Sequence, residues 1–271
     1  MNEEIESLFN LHNKIAFVTG GATNLGYDAA AVLAAAGANV VISSRNEEKA
    51  KKSALALQEK YGMDCMAVTL NQNNYAEVAS CFHKVFSWKG KLDILVNNAG
   101  GGSGGSIANL FERDPVDIEQ MINTNLTGMI YCCKEAGKIM AEKGSGKIIN
   151  IASMAGLIGR DRRMYERSAM NGQPIDYAAA KAGVIGLTTD LAGFLSPMGI
   201  HVNAISPGGF SGSGRSHPVS FVKDYSDRVP LGRMGKDGID LKGAILFLAS
   251  VASDYVTGHN LIVDGGFSIW H

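Results

Sequence analysis

The stretch IAFVTGGATNLGYDAAAVLAAAG, residues 15–37, decides the fold of this chain. It opens with a β-branched apolar run typical of a buried strand, turns through TGGATNLG at residues 19–26, and continues as an alanine-rich helix that Gly37 is placed to end. A tight turn before a helix presents free backbone N–H groups and the positive end of the helix dipole. The stretch therefore predicts a site for a dinucleotide's pyrophosphate, and the alternative is an ordinary βα turn.

Further apolar, strand-like runs follow at regular intervals, with helical stretches between them. Including the first, they cover residues 15–19, 39–43, 65–70, 92–97, 147–152, 201–206 and 260–264. This alternation predicts an α/β fold of the Rossmann type, with one doubly wound, seven-stranded parallel sheet and helices on both faces. The run GGGSGGS at residues 100–106 could be a linker or an active-site loop. Because the alternation continues beyond it, we expect a loop and a single domain over residues 1–271.

Composition excludes several classes of function. The 271 residues carry a net charge of −1, with a pI near 6.6, so no basic face for nucleic acid or an acidic membrane is expected. The four cysteines form no CxxC pair and the six histidines no metal-binding pattern, so we expect no metal and a reducing compartment. An acidic, polar N-terminus and the lack of a long apolar stretch favour a cytoplasmic location.

Tyr177 and Lys181 are four positions apart in the run DYAAAK. On a helix this spacing puts both side chains on one face, with Cβ atoms roughly 5–6 Å apart. A neighbouring ammonium favours the ionised form of a phenol and makes it a better acid or base near neutral pH. Taken alone, the pair could also be a chance spacing, so the rest of the chain has to decide.

Five further motifs occur in order after the glycine-rich turn: NNAG at residues 97–100, NLTG at 125–128, IASMAG at 151–156, YAAAK at 177–181 and SPGG at 206–209. With them, the chain resembles the short-chain dehydrogenase/reductase family over essentially its whole length. The resemblance implies a nicotinamide cofactor and a small-molecule substrate.

The resemblance also implies catalytic roles. Tyr177 would be the acid or base at the substrate oxygen, and Lys181 would lower its pKa and hold the nicotinamide ribose. Ser153 would hydrogen-bond the substrate oxygen, and Asn125 would hold a water that extends the proton path. The alternatives are a strand-end serine and a helix-kink asparagine.

The implied cofactor contacts are Gly20, Asn24, Leu25, Gly26, Ser44, Arg45, Leu70, Asn98, Ala99, Gly100, Tyr177, Lys181, Pro207, Gly208 and Phe210. Asn24 replaces a glycine of the family's turn, and asparagine tolerates positive φ. A threonine often follows the family's PG turn; here Ser211 or Ser213 could supply its hydroxyl. Arg45 stands where an acidic residue would select NAD, so NADP is expected to be preferred, with NAD as the second option.

We therefore predict an NAD(P)-dependent oxidoreductase that interconverts a secondary alcohol and a ketone. Residues 225–235, 240–250 and 255–266 resemble the gluconate 5-dehydrogenase-like enzymes of sugar acids and polyols. The alternatives are a 3-oxoacyl-carrier-protein reductase and a non-catalytic nucleotide-binding protein; an ATPase is excluded because the GxxxxGK loop is absent. The family resemblance, with the apolar helices and C-terminal tail, implies a homotetramer or homodimer.

One spacing departs from the family. Ser153 and Tyr177 are 24 positions apart, about twice the usual distance, so residues 159–174 are an extra segment. The segment contains four arginines, Arg160, Arg162, Arg163 and Arg167. Because both its ends are tied to the site, we expect it to lie over or beside the substrate, with Arg160, Arg163 and Tyr165 as candidates to bind a carboxylate. The alternative is a solvated loop or subunit contact.

Overall fold

The computed structural model describes residues 2–102, 107–212 and 217–270. Its strands are β1 (Ile15–Thr19), β2 (Asn39–Ser44), β3 (Cys65–Thr69), β4 (Ile94–Asn97), β5 (Gly146–Ile151), β6 (Ile200–Pro207), β7 (Phe210–Ser211), β8 (Gly235–Lys236) and β9 (Asn260–Val263). Its α-helices are α1 (Glu3–Phe9), α2 (Asn24–Ala35), α3 (Glu47–Tyr61), α4 (Tyr75–Lys89), α5 (Pro115–Ile122), α6 (Gly128–Lys143), α7 (Arg163–Arg167), α8 (Ile175–Leu195), α9 (Val219–Ser226) and α10 (Lys242–Ala249).

Seven of these strands pair in parallel in the order β3-β2-β1-β4-β5-β6-β9. The order reverses between β1 and β4, and this switch opens a crevice at the carboxyl ends of the central strands. The predicted seven-stranded parallel sheet is confirmed, and the observed strand bounds lie within two residues of the predicted ones.

Helices cover both faces of the sheet, which explains why the central strands are apolar throughout. All five residues of β1 are buried, and Phe17 contacts Phe82 of α4 with ring centroids 5.2 Å apart. One core forms between the sheet and helices α2 and α10, and a second forms against α4, α6 and α8. Gly37 adopts a φ of +98° directly after α2, so the predicted helix end is confirmed.

Two local features were not predicted from the sequence. Strands β7 and β8 form a separate two-stranded parallel sheet beyond the end of β6. Residues Asn123–Thr127 form a π-helical turn between α5 and α6. Such a turn widens the helix by one residue and is common at functional sites.

Helix α8 is long and apolar enough, by length and composition, to cross a membrane. It packs instead against β6 and against the 3₁₀ turn Met154–Gly156, and its buried residues join the second core. Because this helix also carries Tyr177 and Lys181 to the crevice, it is a core helix of the α/β domain.

Candidate active site

The crevice contains a cavity of about 650 Å³. Its walls come from the turn after β1, the carboxyl ends of β2, β4, β5 and β6, the first turns of α8, and the extra segment at residues 159–174. Nearly all the predicted site residues line this cavity. The two exceptions are Asn125, which lies directly behind the wall, and Arg163.

The turn after β1 has the shape that a phosphate group requires. Gly20 and Asn24 both adopt positive φ, of +63° and +50°, so Asn24 has the backbone conformation that asparagine was expected to tolerate here. A Cβ atom on Gly26 would lie 2.3 Å from the carbonyl oxygen of Gly20. Only a glycine therefore allows helix α2 to begin this close to the turn, with its free N–H groups facing the cavity.

Asn98 braces the turn from the neighbouring strand. Its side-chain nitrogen donates to the carbonyl oxygens of Thr19 and Gly20, at 3.1 and 3.2 Å. The hydroxyl oxygen of Thr19 accepts in return from the backbone N–H groups of Asn98 and Ala99, both at 3.0 Å. This part of the wall is therefore fixed by the protein's own hydrogen bonds.

The part of the cavity beside the glycine turn is called the nucleotide side. The ends of strands β2, β3 and β6 complete its wall. Ser44, exposed Arg45 and Leu70 line the cavity after β2 and β3, and the hydroxyl of Ser44 accepts from the N–H of Asn46 at 3.1 Å. After β6, the lining residues are Pro207, Gly208 and Phe210. Ser211 does not line the cavity, and Ser213 lies outside the described residues.

Tyr177 and Lys181 lie on successive turns of α8 and both line the cavity. The Lys181 Nζ is 5.8 Å from the centroid of the Tyr177 ring, and it donates to the carbonyl oxygen of Ile151 at 2.7 Å. Lys181 is buried, and this loss of hydration lowers the pKa of its ammonium to about 8. The predicted pair therefore meets at the cavity, beside the end of β5.

Ser153 and Asn125 flank this pair. Ser153 lines the cavity in an extended conformation just after β5, and its hydroxyl oxygen accepts from the N–H of Ala155 at 3.1 Å. Asn125 is buried in the π-helical turn, where its side chain accepts from the N–H of Gly101 at 3.0 Å and donates to the carbonyl oxygens of Gly101 and Met121 at 3.1 Å. Asn125 thus holds the glycine loop after β4 against the site.

The extra segment lies beside the cavity, as predicted from its tied ends. Arg160 and Tyr165 line the cavity. Arg163 lies outside it: the side chain is 75% exposed and pairs with Asp161 at 2.8 Å. Arg167 pairs in the same way with Asp224 at 2.5 Å. The expectation of a solvated loop therefore describes the outer arginines, whereas Arg160 belongs to the site.

The part of the cavity lined by Arg160 and Tyr165 is called the substrate side, and sequence reasoning missed several of its residues. Gln173, His217 and Phe221 also line the cavity. The Phe221 ring packs against those of Tyr165 and His217, with centroids 5.3 and 5.4 Å apart, and so joins α9 to the extra segment. A lone histidine or glutamine in a loop carries no spacing signal, so the sequence alone offered no means of finding them.

The charged side chains that line the cavity among the described residues are all positive. Among the described residues that line it, the fixed charges are the cations Arg45, Lys181 and Arg160, and none is an aspartate or glutamate. Such a lining favours ligands with negative charge at more than one point.

The geometry can be compared with known proteins. A family model described as enoyl-(acyl carrier protein) reductase matches residues 20–268. The chain is 35% identical over 267 residues to a 2-dehydro-3-deoxy-D-gluconate 5-dehydrogenase from Formosa agariphila, covering 96% of this chain and 94% of that protein. It is 32% identical over 258 residues to a 3-oxoacyl-acyl-carrier-protein reductase from Aquifex aeolicus, covering 94% and 98%.

A solved structure shares the whole architecture. The gluconate 5-dehydrogenase from Burkholderia cenocepacia, in complex with NADP and tartrate, matches with a TM-score of 0.87 at 32% identity and covers 97% of this chain and 98% of that one. The chain belongs to the short-chain dehydrogenase/reductase family. It is an NAD(P)-dependent oxidoreductase that acts on CH–OH groups.

Proposed function

We propose that the protein interconverts a secondary alcohol and a ketone on a sugar acid or polyol, with NADP as the preferred cofactor. The observation that carries the proposal is the meeting of Tyr177, Lys181 and Ser153 at one cavity whose lining also contains the unassigned cation Arg160. Similarity to a gluconate-type dehydrogenase over nearly the whole chain supports the same substrate class.

The described residues fit a dinucleotide. The turn at Gly20 and Gly26 leaves a cradle that a Cβ atom would fill, and Ser44, Arg45 and Leu70 would hold the adenosine end. The cofactor supplies the hydride when it is bound. Lys181, Asn98 and the loop after β6 would hold the nicotinamide ribose and ring.

The protein's own groups would manage the proton and the substrate oxygen. Tyr177 would donate a proton to the ketone oxygen in reduction, or accept one from the alcohol in oxidation. The Lys181 ammonium favours the phenolate of Tyr177, and the hydroxyl of Ser153 would donate to the negative charge that develops on the substrate oxygen. Asn125 would hold a water behind Lys181 and so connect the site to solvent.

The preference for NADP rests on the residues after β2. Arg45 lines the cavity there, and a guanidinium matches a phosphate with two parallel hydrogen bonds. The lack of a carboxylate among the described lining residues removes the usual acceptor for unphosphorylated ribose hydroxyls.

A substrate panel tests the substrate class. Sugar acids, polyols and 3-oxoacyl thioesters would be assayed with NADP(H) and NAD(H) by nicotinamide absorbance. The proposal predicts the highest kcat/KM for a sugar acid or polyol with the NADP couple. A 3-oxoacyl thioester as the best substrate would instead assign the chain to the acyl-carrier-protein reductases, which it also resembles.

We further propose a cytoplasmic homotetramer, with a homodimer as the smaller alternative. Large apolar side chains are exposed on α5, on α8 and near the C-terminus, among them Val116, Phe194 and Trp270. A second copy of the chain could bury them. Light scattering at micromolar concentration should give the mass of four chains, or of two; a stable monomer would exclude both.

A further inference from the structure

The positive charge of the cavity needs ligand charges to balance it. In the proposed function, Arg45 meets the cofactor's phosphate and Lys181 meets Tyr177 and the ribose. The third cation of the described lining, Arg160, has no role in either task. A cationic group in the wall of a substrate cavity, with no carboxylate beside it, is a site for an anion.

The hydrogen bonds of Arg160 support this view. Its Nη2 donates to the carbonyl oxygen of Pro174 at 3.1 Å, which anchors the guanidinium to the segment that leads into α8. Its Nη1 is buried and has no hydrogen-bond partner among the described residues. Burial, the largest cause, lowers the pKa of Arg160, although a guanidinium stays charged in proteins. The Tyr165 side chain is a further partner of the guanidinium and opposes the effect of burial on its pKa. Nη2 is therefore fixed by Pro174, and Nη1 is left for a ligand.

Two neutral side chains of the same cavity also contain buried atoms without hydrogen-bond partners among the described residues. Gln173 Oε1 and His217 Nδ1 are buried and lack hydrogen-bond partners among the described residues. Buried polar groups are rarely left unpaired, because a buried group without a hydrogen-bond partner destabilises the protein. The glutamine amide and the histidine ring can both accept from a hydroxyl, which is the chemistry of a polyhydroxy substrate.

The surrounding ion pairs show why Arg160 differs from its neighbours. Arg228 donates to Asp161 at 2.9 Å, and Arg167 pairs with Asp224, so the extra segment is tied to the region of α9 on its outer side. The carboxylates of this network are thus occupied by other arginines. The charge of a Tyr177 phenolate would raise the pKa of Arg160, so the guanidinium lies within electrostatic reach of the reacting oxygen.

We propose that Arg160, with Gln173 and His217, forms a carboxylate subsite, and that the substrates are short polyhydroxy carboxylates whose acid group lies within a few carbons of the reacting carbon. This subsite rests on the proposed function, because the substrate class is that of the same active site. The subsite would favour binding of a sugar acid over its neutral polyol and over an acyl thioester, because neither of the latter carries a carboxylate at that position.

The test compares matched pairs that differ only at the acid group: aldonates of four to six carbons, such as gluconate, against the corresponding alditols, such as glucitol. The variants are Arg160→Gln and Arg160→Lys, with Arg167→Gln as the control, because Arg167 carries the same charge on the same segment outside the cavity. We expect Arg160→Gln to lower kcat/KM for the acid about 10- to 100-fold while the alditol changes less than about threefold. Arg160→Lys should retain part of the preference.

A binding measurement makes the subsite independent of turnover. Calorimetry would follow aldonate binding to the NADPH-loaded protein, in which the reduced cofactor cannot accept a hydride from an alcohol, with and without Arg160→Gln. Arg160-dependent binding without oxidation of any panel compound would support the subsite and contradict the proposed reaction. Three results would overturn the subsite. They are an equal fall in kcat/KM for the acid and the alditol in Arg160→Gln, a fall for the acid in Arg167→Gln as large as in Arg160→Gln, and the absence of aldonate binding.

Discussion

The two sides of the cavity differ in how their polar groups are satisfied. On the nucleotide side, Asn98 and Thr19 hold the glycine turn with hydrogen bonds inside the protein. On the substrate side, Arg160, Gln173 and His217 keep buried atoms without partners among the described residues. The side chains that brace the glycine turn are thus paired within the protein, whereas side-chain atoms on the substrate side are left for a ligand.

This difference has an energetic meaning. A preformed wall binds its ligand without reordering. Unpaired buried groups destabilise the free protein, and a ligand that forms hydrogen bonds with them binds more tightly. The substrate side should therefore discriminate between ligands more sharply than the nucleotide side, and its supports should matter more for stability.

The largest expected effect concerns such a support. Arg113 and Asp176 form a buried pair, with side chains 1% and 3% exposed and Nη2 2.8 Å from Oδ2, directly before Tyr177. Arg113→Met leaves the Asp176 carboxylate buried without its cation, so we expect a loss of about 3–5 kcal/mol of unfolding free energy. Urea unfolding measures it. The double variant with Asp176→Leu should recover much of the loss, and a cost below 1 kcal/mol for the single variant would show that the pair is not a support.

A slightly smaller effect is expected where substrate charge develops. Ser153→Ala removes the hydroxyl that would donate to the substrate oxygen, so turnover should fall about 100- to 1,000-fold. Nucleotide affinity should stay the same, because the cofactor wall does not depend on this hydroxyl. Steady-state kinetics and nucleotide titration measure the two effects. A fall in turnover of less than tenfold would remove Ser153 from the mechanism.

The next effect concerns the nucleotide side. Arg45→Ala should lower the ratio of kcat/KM with NADP to that with NAD by about 10- to 100-fold, since it removes a charge-assisted contact with the extra phosphate. Lys51→Ala is the matched control, because Lys51 lies on α3, pairs with Glu47 and is exposed outside the cavity. An unchanged ratio in Arg45→Ala, or equal efficiency with NAD in the parent protein, would contradict the preference for NADP.

The smallest effect tests whether the catalytic pair reduces stability. The pKa of Lys181 is about 8 in the folded protein and about 10.4 when unfolded, so burial of the charged form costs about 3 kcal/mol below pH 8. As pH rises from 8 to 10.4, the folded state has already released the proton that the unfolded state still binds, and this cost disappears.

Lys181→Met removes that cost but leaves the Ile151 carbonyl without its donor, so a net gain of about 1 kcal/mol is expected at pH 7. The gain should shrink toward pH 10, and activity should be lost. Urea unfolding at both pH values checks this. A variant less stable than the parent at pH 7 would show that Lys181 stabilises the fold.

Much of this molecule could be predicted from the sequence, because the determining signals are local. Apolar runs and glycine positions give the strands, the turn at Gly20 and the helix end at Gly37. Helical spacing predicts that Tyr177 and Lys181 share a face of α8, and the ordered motifs along the chain give the pair its catalytic interpretation. Strands β7 and β8 contain only two residues each, and they form only where distant segments meet, so no periodicity could predict them.

The substrate side shows where such reasoning ends. The sequence predicted that arginines of residues 159–174 would lie near the site, but Arg160 and Arg163 could not be separated. Their difference comes from the fold: Asp161 pairs with Arg163, while the carbonyl of Pro174 holds Arg160 at the cavity. His217 reaches the same wall through its packing against Phe221, a contact between segments that only the folded chain brings together.

The most direct test of the central claim is Tyr177→Phe, measured for nucleotide binding and for turnover with the best panel substrate. The change removes one hydroxyl from the substrate side and leaves the nucleotide side intact. We predict a dissociation constant for NADPH within about threefold of the parent, and a loss of turnover of about 100- to 10,000-fold, the contribution of a positioned acid–base group. Turnover within tenfold of the parent, with NADPH still bound, would contradict the assignment of Tyr177 as the proton donor.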